Sequence, residues 1–155
     1  MKRAIMLAAI SLSLATALPG AGAAQSAKDL VGTWTLATAD AFGPNPRGIA
    51  TFEANGRFSI MLMRADLPVY ASNNRTQATP AEHKATVNGS IAYFGTYSLS
   101  GTDLNLHIEG STFPNWTGHD QKRTNVSVTA DEFKYVQPLP SGGGPPVPVA
   151  WRRAK

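Results

Sequence analysis

From Leu30 onward, apolar and polar residues alternate in short runs, and turn-forming residues punctuate nearly every run. A period of two places every second side chain on one face of a β-strand, so each run predicts a strand with one buried face. The first, "LVGTWTLATAD", is closed by "FGPNPRG". In "GIATFEANGRFSIMLM", Asn55-Gly56 separates two alternating halves, which is a strong hairpin signal. Phe58, Ile60 and Leu62 then share one face, with Arg57 and Ser59 on the other. "SIAYFGTYSLSGTDLNLHIEG" predicts a second hairpin turning at Ser100-Gly101-Thr102, and "RTNVSVTADEFKYVQP" a third turning at Ala130-Asp131. "VPVAWRR", after the loop "SGGGPP", is the last strand.

About eight strands result. The one long interruption, Asp66 to Asn88, contains "TPAEHKATV", in which Thr79 is placed to cap a helix with Pro80 at its first position and Glu82 at its third. One short helix or ordered lid is expected there. All other connections are hairpin-sized, so the sheet is expected to be antiparallel and to meander. Eight up-and-down antiparallel strands close into a barrel, which removes exposed edges and can enclose one small ligand. The predicted fold is therefore all-β, an eight-stranded antiparallel up-and-down barrel, with a β-sandwich as the alternative arrangement.

The first 24 residues follow a different pattern. Lys2 and Arg3 precede the apolar run "AIMLAAISLSLATAL", Pro19-Gly20 breaks it, and "AGAA" offers small residues for cleavage. The reading is a signal peptide over 1–24 and one domain over 25–155, in an exported protein, periplasmic or extracellular, with no stable membrane span after cleavage. Without Lys2 and Arg3, twelve of the fourteen cations face ten acids, so the formal net charge of +4 falls to +2. That is too even a balance for the dense basic face a nucleic-acid partner needs. The chain has no cysteine. Disulfides, thiol catalysis and Cys-ligated zinc are thereby excluded.

Several blocks carry a family likeness. "LVGTWTL" has the Gly-x-Trp of a first lipocalin strand, in Gly32 and Trp34, and "VAWRRAK" puts Arg152 and Arg153 where calycins keep the basic residue that covers that Trp. "GPNPRGIATFEANGRFSIMLMRADLP", "ASNNRT", "GSIAYFGTYSL" and "HIEGSTFPNWTGHDQKR" are similar to the lipocalin-like domain proteins of many bacteria and some fungi. The resemblance spans the mature chain. It implies a calycin-type barrel binding a small hydrophobic or amphipathic molecule, but names neither ligand nor reaction. Many secreted lipocalins carry disulfides, and this chain departs from them. Either Arg152 or Arg153 can cover Trp34, depending on register.

The polar residues give candidate ligand contacts. Arg64 shares parity with Phe58, Ile60 and Leu62, so a strand running that far points its guanidinium inward to pair a ligand anion, whereas a bend at "RADLP" hands it to Asp66 or solvent. Leu104, Leu106 and Ile108 share one face, and Asn105, His107 and Glu109 the other. If the apolar face lines the barrel, His107 looks outward; if polar groups are buried in the lumen, Tyr93, Tyr97 and His107 form a network there with Lys122, which shares parity with Val126 and Val128. Trp116, in "FPNW", offers a flat apolar surface at a barrel mouth, for a ligand or as a plug. Asn74, in "YASNNRT", belongs to a turn-rich segment over that mouth.

His107, Glu109, His119 and Asp120 match no recognised metal-ligand spacing, and Ser111 lies in no nucleophile motif, so no metal, cofactor or catalytic set is assigned. The expected protein is a monomeric binder of a small hydrophobic or amphipathic molecule. Its alternatives are an isomerase or cyclase using His107 or Tyr97 as acid or base, and a solid-packed structural module.

Overall fold

Strand pairing follows chain order all the way round. The computed structural model describes residues 25–155, so the predicted signal peptide lies outside the described residues. Eight strands, β1 (Gly32–Ala39), β2 (Arg47–Phe52), β3 (Arg57–Met63), β4 (Ser90–Ser100), β5 (Asp103–Ser111), β6 (Asp120–Val128), β7 (Glu132–Gln137) and β8 (Val147–Arg153), pair antiparallel with their neighbours, and β8 closes on β1. This is the closed eight-stranded up-and-down barrel that the alternation predicts. Phe58, Ile60 and Leu62 of β3 and Leu104, Leu106 and Ile108 of β5 all point inward and are buried. The tight β2–β3, β4–β5 and β6–β7 turns gather at one end. The longer β1–β2, β3–β4, β5–β6 and β7–β8 connections gather at the other.

The tight-turn end is packed shut. Trp34 of β1 is fully buried, and its indole N–H donates to the Leu30 carbonyl at 2.8 Å. Leu30 ends a four-residue helix, α1 (Ala27–Leu30), which the alternation did not announce. Of the two closing arginines, Arg153 lies over Trp34, its guanidinium carbon 4.0 Å from the ring centroid, while Arg152 is exposed. The same guanidinium donates to the carbonyls of Val31, Asp29 and Ala130, tying the N-terminal turn and the β6–β7 turn to β8. Gly32 makes this approach possible: it adopts φ +130°, and a Cβ on it would lie 2.8 Å from an Arg153 nitrogen. Above Trp34, Phe133, Phe52, Phe58 and Tyr93 form a continuous series of ring contacts at 5.6 to 6.1 Å.

The long-loop end carries α2 (Pro80–Gly89), with Pro80 in its first turn. Thr79 caps it, and the Glu82 carboxylate reaches back to accept from the Thr79 N–H at 2.7 Å and from the Thr79 hydroxyl. Glu82 also accepts from the Ala71 N–H at 2.9 Å, so one carboxylate fastens both the helix start and the preceding loop. Those donors hold its pKa below the usual glutamate range. A depressed carboxylate contributes stability above its unfolded pKa of about 4.3 and loses it as pH falls through the folded value. Acidification below about pH 4 is therefore expected to lower the amide-exchange protection factors of Ala71 and Thr79, measured against the intrinsic rate at the same pH, before the barrel itself opens. Glu82→Gln is expected to do the same at neutral pH.

Candidate ligand-binding site

Between the aromatic floor and the long loops lies a cavity of about 540 Å3. Leu62, Ile91, Val147 and Val149 give it apolar walls, and Phe42, Val87, Phe113 and the Pro140–Gly143 loop rim its mouth. The barrel is thus packed solid in one half and hollow in the other. Trp116 is placed by a 3-10 turn, Pro114–Trp116, and is buried edge-on to Tyr93 at 5.3 Å, forming one wall. Ala39 lines the opposite side with no more than a methyl group.

One charged side chain faces into this space. Arg123 of β6 is 1% exposed and lines the cavity. Its guanidinium carbon is 5.6 Å from the Trp116 ring centroid, 5.8 Å from that of Tyr93 and 5.9 Å from that of Tyr135. One terminal nitrogen donates to the Lys122 carbonyl at 3.1 Å and the other reaches the Tyr93 hydroxyl at 3.4 Å, while Nε has no partner. Burial, and the neighbouring Tyr93, push the Tyr135 phenol well above the usual tyrosine range, with Arg123 pulling the other way. Gln137, also buried on this wall, spends its amide N–H on the Leu139 carbonyl and leaves Oε1 without a donor.

Residues 32–154 match the family of lipocalin-like domain proteins. The chain belongs to that family. No curated protein matches it significantly in sequence. Among solved structures, the lipocalin-like barrel is similar to a lipocalin-like protein from Bacteroides uniformis ATCC 8492, at 16% identity over 81% of this chain and 99% of that one, with a TM-score of 0.45. A redesigned β-barrel is similar at 13% identity over 87% of this chain and 99% of that one, also with a TM-score of 0.45. Eight-stranded barrels of this kind in general hold one small ligand.

Of the residues singled out from the sequence, the lipocalin-like barrel brings Tyr93 and Trp116 to the cavity and places the others elsewhere. Tyr97 points inward at the packed end, against Phe52 at 5.0 Å, and its hydroxyl donates to the Glu53 carbonyl. His107 is on the outer wall, its side chain 53% exposed and its Nδ1 2.7 Å from an Asp120 carboxylate oxygen. Lys122 is also outside, paired with Asp103 at 2.6 Å. The luminal network of Tyr93, Tyr97, His107 and Lys122 is therefore not formed. Arg64 does not extend its strand's inward face: β3 ends at Met63, and Arg64 forms a two-pronged pair with Asp66 at 2.8 Å. Asn74 is exposed in the loop before α2, its side-chain oxygen accepting from the Thr76 N–H and hydroxyl.

Sequence parity missed Arg123. The register of β6 on β7 shifts between Thr124 and Ser127, where Asn125 takes φ +54°. A bulge there adds one residue and flips the strand's faces, so Arg123 turns inward and Lys122 outward.

Proposed function

We propose that this lipocalin-like protein is exported and binds a small hydrophobic or amphipathic molecule, as a carrier or sensor in the periplasm or outside the cell. The observation that carries the reading is the cavity of about 540 Å3 at the open end of the barrel. It falls in the size range of small-molecule sites, and its mainly apolar wall interrupted by a few polar groups is their usual lining. The basic, apolar and small-residue order of the first 24 residues supports export. An enzyme using His107 and Tyr97 together needs both in one enclosed cavity, and His107 faces outward.

Native mass spectrometry of protein purified without denaturation from its own host tests the reading. A copurifying small molecule released on unfolding is the expected result. Protein that arrives empty and takes up no apolar probe would overturn it. Filling the space gives a second check: Ala39→Phe puts a ring where only a methyl group now lines the cavity. It is expected to weaken uptake by at least about tenfold, at a stability cost of about 1–3 kcal/mol because Ala39 is itself closely packed.

A further inference from the structure

We propose that the molecule held in the cavity carries a carboxylate, and that Arg123 receives it. This rests on the reading of the cavity as a ligand site and adds the chemistry of the head group. Arginine keeps its proton in proteins and offers five N–H donors. Arg123 spends one on the Lys122 carbonyl and a long one on the Tyr93 hydroxyl, and its Nε–H meets nothing. It is buried, so water does not complete the set from bulk solvent. A buried cation is stable only when paired or fully hydrogen-bonded.

None of the carboxylates in the described residues pairs with Arg123. No Asp or Glu lines the cavity, and none occurs before Asp29. Asp103, Glu109, Asp120 and Glu132 are engaged in pairs with Lys122, Arg57, His107 and Lys134 on the outer wall, and Asp66 holds Arg64. The Tyr135 phenol, raised by burial, stays neutral. The faces of Tyr93, Trp116 and Tyr135 offset part of the charge without neutralising it. One unit of negative charge is missing. A carboxylate supplies it, pairing with the guanidinium as the Tyr93 and Trp116 rings that cover it move aside. With one cation in the cavity, a phosphate dianion would leave a charge unmatched.

Arg123 is three residues into β6 from the mouth, about 10 Å deep at strand spacing. The head group therefore enters first, and the apolar body lies along Leu62, Ile91 and Val149 toward Phe42 and Val87 at the rim. At roughly 30 Å3 per heavy atom, the share of a liquid water, the cavity takes about eighteen heavy atoms. Decanoate, with about a dozen, is a fitting probe.

Calorimetric titration of the stripped protein with decanoate, methyl decanoate and decanol at neutral pH tests the assignment. Decanoate is expected to bind at least about tenfold tighter than its ester or the alcohol, as a charge-assisted pair implies. In Arg123→Met, acid and alcohol should bind within about twofold of each other while decanol binding persists. Equal affinities for acid, ester and alcohol in the native protein would overturn the carboxylate and leave the cavity reading standing, as would a preference that survives in Arg123→Met. Failure of all three probes to bind would overturn the cavity reading and the assignment with it. The comparison of decanoate with methyl decanoate needs no variant, so it decides the matter even where Arg123→Met does not fold.

Discussion

Trp34→Ala is expected to lower stability by about 3–5 kcal/mol, shifting the urea unfolding midpoint far below that of the native protein. The indole is wholly buried and is the platform on which the tight-turn end is assembled. Its N–H holds α1 through the Leu30 carbonyl, and its face supports Arg153 at 4.0 Å. Arg153 in turn binds three carbonyls from α1, the strand entry and the β6–β7 turn. Truncation leaves a cavity next to Phe133, removes a cation–π contact, and lets that guanidinium swing away from its acceptors. Trp34→Phe separates these terms. It keeps a ring under Arg153 but loses the bond to Leu30, so an intermediate loss of about 1–2 kcal/mol is expected. A loss under about 1 kcal/mol for the alanine variant would mean that the strand ladders, rather than this base, hold the barrel closed.

The strands were legible because their signals are local. Alternation in "RFSIMLM" and "DLNLHIEG" identifies the buried face of β3 and β5 without any knowledge of their partners. The start of α2 was legible for the same reason, since Thr79, Pro80 and Glu82 form a self-contained cap. α1 was not. Four residues carry no period, and that turn is held by contacts from Trp34 and from Arg153, more than a hundred positions away. Arg64 shows the limit of parity at a strand end. Its inward direction follows only while β3 continues, and Asp66, two residues on, captures it as the chain turns.

The site was harder to read than the fold because one bulge decides it. Counting back by twos from Val126 and Val128 puts Lys122 inside, and the count is right only if β6 is regular. Asn125 makes it irregular, and asparagine is among the few residues that tolerate a positive φ. The register shift exchanges an outer lysine for an inner arginine, and with it the cavity acquires its only inward-facing charge among the described residues. His107 needed no such correction. It follows the regular alternation of Leu104, Leu106 and Ile108 and so lies outside. The two histidines of "HIEGSTFPNWTGHDQKR", His107 and His119, thus lie on the outer wall and in a loop, while Trp116 and Arg123 carry that segment's contribution to the cavity.

Gly95→Ala is expected to cost about 3 kcal/mol and to weaken ligand binding with it. A Cβ at Gly95 would fall 1.9 Å from the His107 carbonyl oxygen, a backbone atom that no side-chain rotation can move. The register of β4 on β5 breaks between Phe94 and Gly95, so the two backbones approach most closely where a side chain is absent. Admitting a methyl group means displacing β5 or reversing the bulge. Either shift reaches Tyr93, two residues away on the same inward face, and so disturbs its contact with Arg123. Gly101→Ala in the β4–β5 turn is the control. Nothing lies within 4 Å of its added methyl, and only its φ of +59° resists the change, so a loss of about 1–2 kcal/mol with unchanged ligand affinity is expected. Urea melts and calorimetric titrations on both variants compare them directly. Equal stability losses at the two glycines would show that β5 gives way at little cost, and that the close approach at Gly95 does not fix the position of Tyr93.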